Sequence, residues 1–67
     1  MPHLDILKGK LVEKNKTYAD CAGKLSMSIT SFNDKMNGKR KFTVEEANDL
    51  SIFLNLNNHE KITIFLS

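Results

Sequence analysis

Leu4, Leu7 and Leu11 recur at helical spacing, with Val12 widening the stripe and Lys8, Lys10 and Glu13 on the opposite side. The pattern predicts an amphipathic helix over residues 4–15, interrupted only by Gly9, which costs ~1 kcal/mol relative to Ala. After the polar link Asn15-Lys16, Thr17 is placed to cap a helix running to Leu25, with Asp20 at its third position. Asp is shorter than the Glu or Gln of a full capping box, so this box reads as incomplete. Tyr18 or Cys21, then Ala22 and Leu25, form its buried face. Ser26-Met27-Ser28 breaks the pattern, and Ser28 caps a third helix over residues 29–37 whose inward residues are Phe32 and Met36. Gly38 stands where a helix end wants a left-handed residue.

Phe42 is expected to drop into the core, and Thr43-Val44-Glu45-Glu46 is a full capping box. It opens a helix with Val44, Ala47, Leu50 and Leu54 on one face. Beyond Leu56 the signals weaken. Asn57-Asn58 reads as a turn, and His59-Glu60-Lys61 as one further helical turn. Ile62-Thr63-Ile64-Phe65-Leu66 is β-prone and has no helical period, so it is expected as a short strand or an extended apolar tail packed on the core or on a second subunit. The expectation is one all-α domain over residues 1–67, with four to five helices.

Composition sharpens this picture. A chain of 67 residues buries only ~60% of the surface that its unfolded form exposes. Its single Cys excludes an internal disulfide and fits a reducing, cytoplasmic setting. The longest apolar run, Ile52-Phe53-Leu54, is too short to span a membrane, and the first residues lack the pattern of a signal peptide. The net charge of +2 is unevenly divided. Residues 1–41 carry nine cations against Asp5, Glu13, Asp20 and Asp34, a balance of +5; residues 42–67 carry Lys61 against Glu45, Glu46, Asp49 and Glu60, a balance of −3. Such a division gives the molecule one face suited to a polyanion. The densest cluster, Lys39-Arg40-Lys41, follows the turn signal Asn37-Gly38.

Two short helices joined by a three-residue break, the second followed by a basic turn, make a helix-turn-helix pattern. Its first helix needs a small residue where the second crosses it, and Ala22 supplies one. Phe32 fills the space between the two. The second helix must keep a polar outer face to enter a groove, and Ile29, Thr30, Ser31, Asn33, Asp34 and Lys35 are mostly polar.

The stretch Thr17 to Lys39 (TYADCAGKLSMSITSFNDKMNGK) resembles the helix-turn-helix of lambda-repressor-like, Cro-type phage regulators. The landmarks are Thr17, Ala22 at the close contact, Leu25 and Met27 flanking the turn, Ser28 as cap, and Asn37-Gly38-Lys39 at the end. Phe42-Thr43-Val44-Glu45-Glu46-Ala47 is similar to small regulators of Gram-positive phages and prophages, so the resemblance covers residues 4–60. It implies a DNA-binding transcriptional regulator of the bacterial host cytoplasm. Such a protein acts as a homodimer on a double-stranded palindromic operator, here joined through residues 56–67. The resemblance places Ile29, Thr30, Ser31, Asn33 and Asp34 at base edges. It places Thr17, Tyr18, Ser28, Lys35, Lys39, Arg40 and Lys41 on phosphates.

This chain departs from the family at three places. Ser26 holds the turn position usually occupied by Gly, and Tyr18 replaces the common Gln. The start of the reading helix, Ile29-Thr30-Ser31, contains none of the strong bidentate readers Arg, Asn or Gln. That last departure keeps a rival open, in which the same fold captures a repressor protein through Glu45, Glu46 and Asp49 or through the apolar C-terminal segment. An antitoxin is a third reading, but residues 57–67 offer it little partner-binding chain. Cys21 reads as a small core residue, and Met27 and Met36 as packing. His3 and His59 lack zinc-ligand spacing, so no metal or cofactor is expected. No nucleophile, paired-carboxylate or phosphate-loop motif points to an enzyme.

Overall fold

The computed structural model describes residues 2–66. These hold five helices and no strand: α1 (Leu4–Glu13), α2 (Tyr18–Lys24), α3 (Ile29–Met36), α4 (Val44–Phe53) and α5 (Asn58–Phe65). The domain is all-α. No helix among the described residues is long and apolar enough to cross a membrane.

Short polar side chains start α2, α3 and α4 where the sequence places them. Thr17 Oγ1 accepts the Asp20 N–H at 3.1 Å, and Asp20 Oδ2 accepts the Thr17 N–H at 2.9 Å, so the short Asp closes a box that its length argues against. Thr43 and Glu46 make the same reciprocal pair at 3.0 Å each. Every such box satisfies two backbone groups at a helix end.

Helices α1 to α4 all stop in one way. Asn15, Ser26, Gly38 and Asn55 adopt left-handed φ values of 59°, 57°, 80° and 57°. In each case the next N–H reaches back to a carbonyl of the last helical turn, as from Met27 to Ala22 at 3.0 Å and from Lys39 to Asp34 at 2.9 Å. Gly and Asn tolerate this conformation readily. Ser26 is the exception, and it takes the strained φ that a non-Gly residue at this turn demands.

The core collects Leu7 and Leu11 of α1, Cys21 and Ala22 of α2, Phe32 and Met36 of α3, Leu50 of α4 with Leu54 just beyond it, and Ile64 of α5. Rings run through it edge to face, from Tyr18 to Phe32 (5.3 Å), to Phe42 (5.9 Å), to Phe65 (5.6 Å). This chain of contacts ties α2, α3, the loop before α4 and α5 together.

Three expectations are corrected. Residues 62–66 are not a strand or an extended tail, since α5 runs through Phe65. Asn57 and Glu60 form a third closed capping box at its start, at 2.8 and 3.0 Å. Burial of Ile64 and the Phe65–Phe42 contact then override the low helix propensity of β-branched residues. Val12, 81% exposed, does not widen the α1 stripe: it lies one residue, and so roughly 100°, round the helix from Leu11. Val44, 76% exposed, likewise sits to one side of the face made by Ala47, Leu50 and Leu54. The start of the chain is locked to α5, because the His3 N–H donates to the Ile64 carbonyl at 2.7 Å.

Candidate nucleic-acid interface

The helix-turn-helix pair places its candidates in three groups. The first is the outer face of α3. Ile29, Thr30, Asn33 and Asn37 are exposed, and successive residues turn roughly 100°. They therefore share one side, with Asn33 near its centre. Asp34 is half-buried at the edge of this face. Ser31 turns to the flank, where its N–H donates to Ser28 Oγ at 3.0 Å and its own Oγ accepts the Ser28 hydroxyl at 3.0 Å. Ser28 and Ser31 thus serve first to start the helix. Asn37 reads in the sequence only as half of the turn signal Asn37-Gly38. Its spacing of one helical turn from Asn33 is the clue that would place it on this face.

The second group is the turn after α3. Gly38, at φ 80°, swings the chain away from the helix axis. Lys39, Arg40 and Lys41 follow, all exposed and with no ion pair among the described residues. These three cations remain fully available to an anion.

The third group is the opening of α2. Thr17 is occupied as the cap, although exposed. Tyr18 is half-buried, its ring committed to the edge of Phe32.

Lys35 does not join the phosphate set. It is 7% exposed. Its ammonium sits 2.5 Å from Glu46 Oε1 and donates to the Lys41 carbonyl at 3.3 Å. It faces away from the outer side of α3, because its position falls beside those of Phe32 and Met36 in the buried arc. Burial pushes the Glu46 carboxyl up, but the Lys35 ammonium and the Thr43 N–H outweigh it and hold the group below its ordinary value. Lys35 is therefore a brace. It ties α3 to the basic turn and to the start of α4.

Other charges are paired off in the same manner. Lys10 bonds Glu60 at 2.5 Å, bridging α1 and α5, and Lys10 and Lys14 both approach Glu13. Hydrogen bonding to Glu60 raises the Lys10 pKa, and the same bond lowers that of Glu60. Lys16 and Lys24 stand over the Phe53 ring at 4.9 and 6.0 Å. Cys21 is fully buried, and burial pushes its thiol up to about 11, which keeps it protonated at neutral pH. His3 and His59 are exposed at the surface.

On α4 the outward side carries Glu45, Asp49 and Ile52, with Val44 beside them. Glu45 and Asp49 are one turn apart, and neither has an ion pair among the described residues. No protein-family model, curated protein or solved structure matches the chain.

Proposed function

We propose that this protein is a sequence-specific DNA-binding transcriptional regulator, a small phage-type repressor that lays α3 in the major groove. The observation that carries the reading is the pairing of an exposed, mostly polar α3 face with three exposed cations immediately after it that have no ion pair among the described residues. Phosphate contacts position such a protein, while base edges specify its site. Lys39, Arg40 and Lys41 suit the first task; Ile29, Thr30 and Asn33 suit the second. α2 straddles the backbone, with its exposed start at Thr17 nearest the strand. A homodimer on a palindromic operator fits the exposed apolar residues Ile62 and Leu66 at the C-terminal end.

The test is a titration of duplex DNA at several salt concentrations with the Lys39→Ala/Arg40→Ala/Lys41→Ala variant. Affinity is expected to fall on every sequence alike. The slope of log affinity against log salt should drop by roughly 0.9 for each phosphate no longer neutralised, about 3 in all. Unchanged affinity and slope would remove this face from the interface.

The α4 strip supports a second reading. Val44, Glu45, Asp49 and Ile52 make a mixed apolar and acidic surface that DNA would repel and that suits a basic protein partner, such as a repressor captured by an antirepressor. Binding of a repressor protein by a chain that ignores DNA would favour this reading over the first.

A further inference from the structure

We propose that the operator half-site is A·T-rich where α3 meets it, with Asn33 reading an adenine and Ile29 packing on a thymine methyl. The inference rests on the DNA-binding reading above and concerns which base pairs that site takes.

It begins with what the outer face of α3 lacks. Guanine is read by Arg or Lys donating in pairs to its two major-groove acceptors, O6 and N7. α3 contains no Arg, and its one Lys is the buried Lys35, whose ammonium is held by Glu46 and the Lys41 carbonyl. The sequence offers a cation on the reading helix; the fold withdraws it. Lys39, Arg40 and Lys41 lie past the helix end, beyond the Gly38 turn. The face that enters the groove is therefore without a cationic donor.

What it presents instead has a definite chemistry. Asn33 is exposed near the centre of the face, and its carboxamide pairs a donor group with an acceptor, matching adenine N7 and N6. Ile29 lies one turn earlier on the same side, 56% exposed at the first helical position. A branched apolar side chain there finds its best partner in the C5 methyl of thymine, the apolar group that the major groove displays. Thr30 beside it adds another methyl and a hydroxyl that serves either base. At the rim stands Asp34, whose carboxylate can only accept when ionised. It opposes the two acceptors of guanine and tolerates the amine of adenine or cytosine. Asn33 and Ile29 thus select A·T pairs, while Asp34 disfavours guanine only on the strand that it faces, where it accepts adenine or cytosine alike.

The experiment is selection of bound duplexes from a random library by the full chain, followed by titration of the recovered site. The recovered half-site should carry an adenine that depends on Asn33. Asn33→Ala should flatten that preference, a loss of roughly 5- to 150-fold in discrimination. Asn33→Arg should convert the same position to guanine. Replacing the contacted thymine with deoxyuracil removes only the methyl group. It should weaken the parent by roughly fourfold, the worth of one buried methyl, and leave Ile29→Ala indifferent. Both positions are exposed, so the variants should melt with the parent, and this is checked first. A guanine-centred half-site that ignores Asn33 substitutions would overturn the inference while leaving DNA binding intact. Failure to retain any duplex, at low salt as well as high, would overturn the DNA reading itself.

Discussion

Lys35 and Arg40 stand at opposite ends of one short stretch and have opposite fates. Lys35 is buried, held by Glu46 and the Lys41 carbonyl; Arg40 is exposed and, among the described residues, unpaired. The first cation costs desolvation and returns rigidity, since it fixes the angle between α3, the basic turn and α4. The second keeps its hydration until an anion displaces it. Charge that braces the fold and charge left exposed to solvent are therefore separate populations, even within one basic cluster. Counting Lys and Arg overstates the second and hides the first.

The sharpest way to break this comparison is to strand the brace. Glu46→Ala leaves the Lys35 ammonium without its acid in a poorly solvated position and also opens the α4 capping box. Removing one partner of a buried pair costs about 3 kcal/mol. That is a large share of the ~3–10 kcal/mol available to a domain of this size. Thermal melting should fall by roughly 12–24 °C. The double variant Lys35→Met/Glu46→Gln should regain most of the loss, because no charge is then buried alone. A single variant melting with the parent would mean that Lys35 braces nothing.

Acid should act next most strongly. Folding holds the carboxyls of Asp20, Glu46 and Glu60 below their ordinary values. A depressed carboxyl contributes stability that is fully present above its unfolded value and is lost as pH falls through its folded one. Melting temperature should hold from neutrality down to the ordinary Glu value of 4.5 and decline below it. The Lys35→Met/Glu46→Gln variant should decline less steeply. Alkali has the opposite sign. The raised Lys10 pKa and the Cys21 thiol at about 11 both contribute stability below their ordinary values, 10.5 and 9.0, that is lost above them.

A smaller effect lies at the entrance to α3. Ser26 holds φ 57°, where an L residue costs ~1–2 kcal/mol and Gly almost nothing. Part of that gain is offset by the greater freedom of Gly in the unfolded chain. Ser26→Gly should therefore stabilise by roughly 0.5–1 kcal/mol, read as a modest rise in denaturation midpoint at unchanged m-value. The exit of α3 already has its Gly38.

Smallest of all should be the stability change in the Lys39→Ala/Arg40→Ala/Lys41→Ala variant. Each exposed position should contribute no more than about 0.5 kcal/mol, while the DNA titration moves strongly. A large loss of stability here would erase the distinction between brace and binding surface.

Much of the fold is legible along the chain because helix starts, helix stops and periodicity are local. Thr17, Ser28 and Thr43 cap the helices that follow them, as their spacing predicts, and Gly38 ends α3 in the left-handed region. The C-terminal helix has its own local signal, Asn57 three residues before Glu60, but the β-prone and apolar residues beyond it point the other way. Val12 and Val44 show the same limit from the other side. Hydrophobic character next to a stripe does not bring a residue under it; the angle round the helix does. In the candidate site, Asn33 and the basic turn are legible from spacing and charge. The burial of Lys35 is not, and Asn37 is masked by its place in a turn signal.

Local pattern alone specifies the first four helices, an all-helical class, a helix-turn-helix spacing and a basic half joined to an acidic one. These follow from interactions within a few residues of each other. Packing in three dimensions decides which cations remain free, because Lys35 meets Glu46 only once the fold brings the first turn of α4 to the buried side of α3. It also makes a helix of Asn58–Phe65 and ties His3 to Ile64, a contact between the N-terminal and C-terminal parts of the chain. Pairings across such separations depend on how the helices pack. No local pattern encodes them, and they determine which residues of the basic half are left to face a partner.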